Sequence, residues 1–250
     1  YRFVDLYVRG AIGEHVAFIF PPLILWSLYN KRTVIGAISV AGLMFSHNAV
    51  SLMFAPVIVL YILYLNRSYL QSLVTVALGS LLSAFFWMPV LYEGKYTLRD
   101  IVTNEDFTSR FVQFSQLLYT PWNYGIGNEL SKEIGAVGLL IIIVSIVLLF
   151  KLKEKRFLSG VLVILGVSIF LMLPVSQPIW QTVTILQKFQ FPWRFLHLTT
   201  FCVAVLAGFV LSKVPSNRQI HVAILIMVGA LITTYSMWGA KYYREYPESF

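Results

Sequence analysis

Asp5, Arg9, Glu14 and His15 stand together in the opening stretch YRFVDLYVRGAIGEH, which runs straight into the apolar segment 16–29. Ionisable groups at the mouth of an apolar helix are costly to bury, so they face a cavity, water or one another. A carboxylate there can take the proton of a hydroxyl. An arginine can hold a phosphate through two parallel N–H bonds. On a helix Asp5 and Arg9 lie one turn apart and can pair. Arg9 and Glu14 are five apart on the same helix and point to different sides. The purely structural alternative is a helix start that stays wet at an interface, its long side chains snorkelling to water.

Three further groups carry side chains of the right kind. Ser46-His47-Asn48 is a polar tip between two apolar runs: a tight turn, or a donor cluster for a lipid phosphate or a sugar hydroxyl. QLLYTPWNYGIGNE brings Trp122 with Tyr119, Tyr124, Pro121 and two glycines. Such a mixture suits an interfacial aromatic belt, and also stacking on a sugar ring. In KFQFPWRFLHL, Pro192, Trp193 and Arg194 sit at the start of an apolar helix. Proline favours a first helical turn. Arg194 there is a phosphate ligand or, with Trp193, an interfacial anchor.

The elements that must position these groups are membrane helices. The chain is 58% hydrophobic and 12% charged, against about 25% charged in a soluble domain, so its apolar residues cannot all be hidden in a core. Segments 11–29, 33–45, 49–65, 70–91, 135–150, 157–173, 195–212 and 220–238 read as about eight transmembrane helices. Pro21 and Pro22 predict a kink in the first. The reading is an all-α, polytopic integral membrane bundle forming a single transmembrane domain over 1–250. An extracytoplasmic loop at 93–134 separates the fourth and fifth helices. The chain opens on Tyr, inside what reads as a working segment, so it is expected to be part of a longer or processed protein.

Orientation follows from the joints. Lys31, Arg32, Arg67, Lys151, Lys153, Lys155, Arg156, Lys213 and Arg218 occupy alternate short joints, with one acid, Glu154. The positive-inside rule places those joints in the cytoplasm and both ends of the chain outside. Asp5, Arg9, Glu14, His47, Asn48, Trp122 and Arg194 then share the outer face. Net charge is +8, but its basic residues are dispersed between apolar runs, which excludes a nucleic-acid surface. One cysteine and four scattered histidines give no intrachain disulfide and no metal-ligating motif. Phosphate-loop and nucleophile-elbow signatures are missing as well.

The blocks DLYVRGAIGEHVAFIFPPLILW, SHNAVSLMF, SAFFWMPVLYEGKYT, QLLYTPWNYG and FQFPWRFL occur in that order. Together they resemble the bacterial and archaeal membrane proteins called 6-pyruvoyl-tetrahydropterin-synthase-related, over about 5–208. The histidine-rich metal site of the soluble synthase is not among them. The family resembles polytopic C-superfamily glycosyltransferases, which take sugars from polyprenyl-phosphate donors on the outer face of the membrane. The resemblance implies a catalytic aspartate in an early outer loop, a region that lies mostly before Tyr1.

The leading expectation is therefore a multi-pass glycosyltransferase of the cell membrane, working on the cell envelope. Glu14 or Asp5 would be the catalytic carboxylate. Arg9, Arg194, His47, Asn48, Trp122 and Trp193 would bind substrate. Membrane lipids and a polyprenyl-phosphate sugar would be the partners, and the positive charge at the departing phosphate would come from arginine or from a divalent metal. The rivals are a transporter or flippase of lipid-linked glycans, and a non-catalytic scaffold for envelope assembly. A transporter would place polar residues midway along broken helices, whereas the helix centres here are nearly free of ionisable groups.

Overall fold

The computed structural model describes residues 2–66, 68–96, 107–120, 130–153 and 155–237. They form helices and connecting turns, with no β-sheet among them. This is what a chain facing hydrocarbon must do, because each backbone N–H and C=O there has to be paired within its own segment. The helices begin with α1 (Ile12–Ala17), α2 (Phe20–Tyr29), α3 (Thr33–Ser46), α4 (Asn48–Leu65), α5 (Tyr69–Leu82) and α6 (Ala84–Glu93). A short α7 (Phe114–Leu118) follows, then α8 (Ala136–Lys151), α9 (Arg156–Met172), the short α10 (Gln177–Thr182) and α11 (Thr184–Gln187), α12 (Leu196–Ser212) and α13 (Ser216–Thr234).

All eight apolar runs are helical over most of their described length, and four to six candidate spans among the described residues meet the length and hydropathy of a membrane crossing. Ile12–Tyr29, Asn48–Leu65, Pro192–Ser212 and Ser216–Thr234 are long and apolar enough to cross a membrane. Two bent pairs raise the number to six: Tyr69–Leu82 with Ala84–Glu93, at 67°, and Arg156–Met172 with Pro174–Thr182, at 87°. Thr33–Ser46 and Ala136–Lys151 are apolar but shorter than the roughly 20 residues that a straight span needs.

Three local features depart from expectation. The break in the first segment lies at Phe18 and Ile19, whose N–H groups reach back to His15 and Val16 in short turns. Pro21 and Pro22 then serve as the opening of α2, where their missing N–H groups cost little. The fourth segment is two helices rather than one. Ser83 is fully buried, and its hydroxyl donates to the carbonyls of Gly79 and Ser80, competing with the helical ladder. The Ser80 carbonyl also accepts from the indole N–H of Trp87, at 2.8 Å. The segment after α9 turns back on the bundle. Trp180 is 0% exposed there, donates to the Leu171 carbonyl and packs against Phe107, Phe111 and Phe195.

Small residues let the helices approach. A Cβ on Gly79 would lie 2.6 Å from the Ala37 carbonyl, and one on Gly36 would strike Thr75 and Ser27, so α3 beds directly against α2 and α5. Between α9 and α12, the hydroxyls of Ser168 and Thr199 share a buried hydrogen bond of 2.9 Å.

The bundle has two chemically different ends. At one, the Gln71 amide donates to Lys31 O and Thr33 Oγ1, Arg156 lies over Tyr64, and Phe157 meets Phe209 beside Lys213. The short basic joints therefore gather there. The other end holds the start of α1, the joint between α3 and α4, and the start of α12.

Candidate functional site

Four pieces of chain converge at that second end. Val4–Val8 is a single π-helical turn carrying Asp5, and Val4 packs on Met237 beyond α13. Gly10 follows at φ +64°, a left-handed conformation that glycine adopts without steric cost. The helix stops there, and α1 restarts at Ile12 in a new direction. This overturns the helical spacing argument for Arg9. Its guanidinium bonds to Asp5 and also grips Glu14, Nη1 to Oε2 at 3.0 Å and Nη2 to Oε1 at 3.2 Å.

His47 alone joins α3 to α4, in extended conformation, and its Nδ1 accepts a long 3.4 Å bond from the Val50 N–H as the cap of α4. Gly13 brings α1 onto this joint, since a Cβ there would stand 2.6 Å from the Ser46 carbonyl oxygen. The close approach sets Glu14 Oε1 3.5 Å from His47 Nε2. With Nδ1 accepting, the ring proton sits on Nε2, on the side of the carboxylate.

The fourth piece is the turn Pro192–Phe195 that opens α12. Gln190 sits at φ +62°, and Arg194 Nη1 ties the turn down by donating to Phe189 O and Gln190 Oε1. Arg194 Nη2 reaches Glu14 Oε1 at 3.2 Å. One turn further, His197 Nδ1 donates to the Arg194 carbonyl at 2.9 Å, while Nε2 lies 3.2 Å from Asp5 Oδ2 and 3.1 Å from Glu14 Oε2. Both ring nitrogens thus face groups that only accept, so both carry protons and His197 is an imidazolium. Phe18 stacks on its ring at 5.1 Å.

The structure thus brings Asp5, Arg9, Glu14, His47 and Arg194 into one ionic cluster, together with His197, which the sequence reading did not single out. Asn48 is exposed beside His47. Trp193 is 4% exposed and lies beneath the Arg9 guanidinium at 4.5 Å, so it is a floor for Arg9 rather than the wall of an open cavity. Trp122 lies outside the described residues.

Burial orders the cluster. The side chains of Asp5, Glu14 and His197 are 1%, 2% and 0% exposed, whereas those of Arg194, Arg9 and His47 reach 11%, 16% and 27%. The acids form the floor; the exposed edge consists of guanidinium and imidazole. Two carboxylates against two guanidiniums and one imidazolium leave the set one positive charge in excess. Burial holds the His47 imidazole below its ordinary pKa, opposed by Glu14 and reinforced by Arg194, His197 and Arg9, so His47 is neutral near pH 7.

Asp5, Glu14 and His197 each offer a ligand atom, all within 4.8 Å of one another, and the Nδ1–carbonyl bond is of the kind that orients a metal-bound imidazole. Electrostatics favours a proton over a divalent ion at Nε2, because Arg9 and Arg194 already neutralise both carboxylates and a dication would stand beside two guanidiniums.

The model of the 6-pyruvoyl-tetrahydropterin synthase related domain, a membrane protein domain, matches residues 9–242. No curated protein and no solved structure matches the chain.

Proposed function

The chain belongs to the 6-pyruvoyl-tetrahydropterin synthase related family of membrane proteins, and from that premise we propose that it is a multi-pass glycosyltransferase taking a sugar from a polyprenyl-phosphate donor. The observation that carries the reading is the layering of the cluster: carboxylates buried beneath, with Arg9, Arg194 and His47 at the exposed edge. Such an edge suits an anion delivered at the end of the bundle, and a lipid phosphate arrives there. In this reading the bundle crosses the membrane about eight times as one domain, with α3 and α8 as short spans. The basic joints lie in the cytoplasm and both chain ends outside, in the cell membrane of an envelope-building cell.

Sugar transfer breaks the bond between the anomeric carbon and the phosphate oxygen and forms one to an acceptor hydroxyl oxygen. Arg9 and Arg194 would stabilise the departing phosphate. Glu14 is held by two guanidiniums and an imidazolium, and a carboxylate so engaged is a poor proton acceptor. Its role, and that of Asp5, is to fix the cations. His47 is the neutral group at the edge, and its Nδ1 carries a bond long enough to be displaced. It would take the hydroxyl proton, and Glu14 would stabilise the imidazolium formed. Asn48 and Trp122 remain substrate-side candidates, and Trp193 would act by supporting Arg9.

The test is the full-length protein in liposomes with labelled polyprenyl-phosphate sugars. Transfer of label to a hydroxyl acceptor, lost in His47→Ala, supports the reading. Label moving between leaflets with no new glycosidic bond would replace it with the flippase reading.

A further inference from the structure

Beside the cluster lies a second pair of polar groups that the reading above does not use. Arg2 Nη2 stands 3.0 Å from His15 Nε2. Arginine only donates, so Nε2 accepts and His15 Nδ1 carries the ring proton. That Nδ1–H is buried and has no hydrogen-bond partner among the described residues, and the same is true of the Arg2 Nε–H. Buried donors left without a partner are rare, because the bond they made to water is not replaced. What each of them lacks is an acceptor.

The surroundings say what that acceptor is attached to. The Arg2 guanidinium lies over Phe18 at 4.2 Å and forms the polar end of a cavity of about 320 Å³. Pro22 of α2 and Thr200, Phe201, Ala204 and Val205 of α12 complete its lining. Phe201 and Val205 also line a second cavity of about 460 Å³, which continues along α12 past Leu25 toward Tyr64 and Arg156 at the basic end. The two cavities share Phe201 and Val205 of α12, and the smaller has Arg2 in its lining. Each is of a size that ligand sites have.

We propose that these cavities form a furrow along α12 that holds the hydrocarbon chain of a single-chain anionic lipid, its phosphate bonded by the Arg2 Nε–H. Phe18 divides this place from the cluster, with Arg2 on one face and His197 on the other. The inference asks nothing of sugar transfer and stands or falls separately from it.

The test is binding of hexadecyl phosphate to the purified full-length protein in detergent, followed by calorimetry. Hexadecyl phosphocholine, with the same chain but no net charge, and inorganic phosphate, with no chain, serve as comparisons. Hexadecyl phosphate is expected to bind at least about tenfold more tightly than either. Arg2→Gln removes donors, and Ala204→Trp fills the furrow from an exposed position; each should weaken binding by about tenfold or more. Ala204→Trp keeps the test decisive should Arg2→Gln fail to fold. Unchanged affinity in a folded variant overturns the proposal. Equal affinity for the phosphocholine removes the anion site, and equal affinity for inorganic phosphate removes the furrow.

Discussion

The two ends of the bundle carry similar residue types and solve opposite problems. At the basic end, Lys31, Arg32, Lys151, Lys153, Lys155, Arg156, Lys213 and Arg218 stand in short joints and are exposed. Each keeps its own hydration, so each is energetically independent. At the other end, Asp5, Glu14 and His197 are drawn out of water and every charge depends on its neighbours. A buried charge is tolerable only when paired and hydrogen-bonded. The first arrangement can set orientation; the second can hold a constellation rigid.

That contrast should be visible first in Glu14→Gln. The substitution hardly changes shape, but it leaves Arg9, Arg194 and His197 without their shared anion. Removing one partner of a buried ion pair costs about 3–5 kcal/mol, and a loss of that size is expected in detergent unfolding. Lys153→Gln, at the basic end, should fall within about 0.5 kcal/mol of the parent. Comparable losses in the two would erase the distinction.

A smaller effect is expected where the chain is brought close rather than charged. Gly13→Ala places a methyl against the Ser46 carbonyl. Overpacking of this kind costs about 1–3 kcal/mol. It should also move Glu14 away from His47, which the His47 ring resonances would report by nuclear magnetic resonance. An unchanged midpoint and an unchanged His47 signal would show that α1 is not seated as described.

The smallest effect concerns pH. The folded His47 has a lowered pKa, so the unfolded chain takes up its proton first as pH falls. Its contribution to stability is fully present above about 6.5, the unfolded value, and is lost as pH drops through the folded one. His47→Gln should therefore flatten part of the stability loss below about pH 6.5. Identical pH profiles for parent and variant would contradict the assignment.

Much of this was legible in the sequence, for physical reasons that differ by residue. Long apolar runs have no alternative to helix in hydrocarbon, so the helices fall where hydropathy puts them. Arg9, Glu14, His47 and Arg194 could be placed on one face because the basic joints fix the alternation of helix direction. The contact between Arg9 and Glu14 was hidden, since spacing on a continuous helix separates them; Gly10 was the available signal for a break. His197 sits inside the apolar FLHLTTF and drew no attention, although Arg194 and His197 stand one turn apart. The bend at Ser83 was illegible, because Leu82, Ser83 and Ala84 leave the apolar pattern unbroken and the bend is marked by side-chain bonds back to the Gly79 and Ser80 carbonyls.

The central claim is that the exposed cationic edge of the cluster receives the phosphate of a lipid-linked sugar. Arg194→Lys tests it most directly, because lysine keeps the charge but gives up the planar fork that binds phosphate by two bonds. Transfer rates in liposomes should be measured for the parent, Arg194→Lys and Lys153→Gln, alongside the unfolding midpoint of each. The predicted result is a loss of about tenfold or more in transfer for Arg194→Lys, roughly the worth of one charge-assisted hydrogen bond, in protein that remains folded, with Lys153→Gln at the parental rate. Transfer by folded Arg194→Lys at the parental rate would contradict the account.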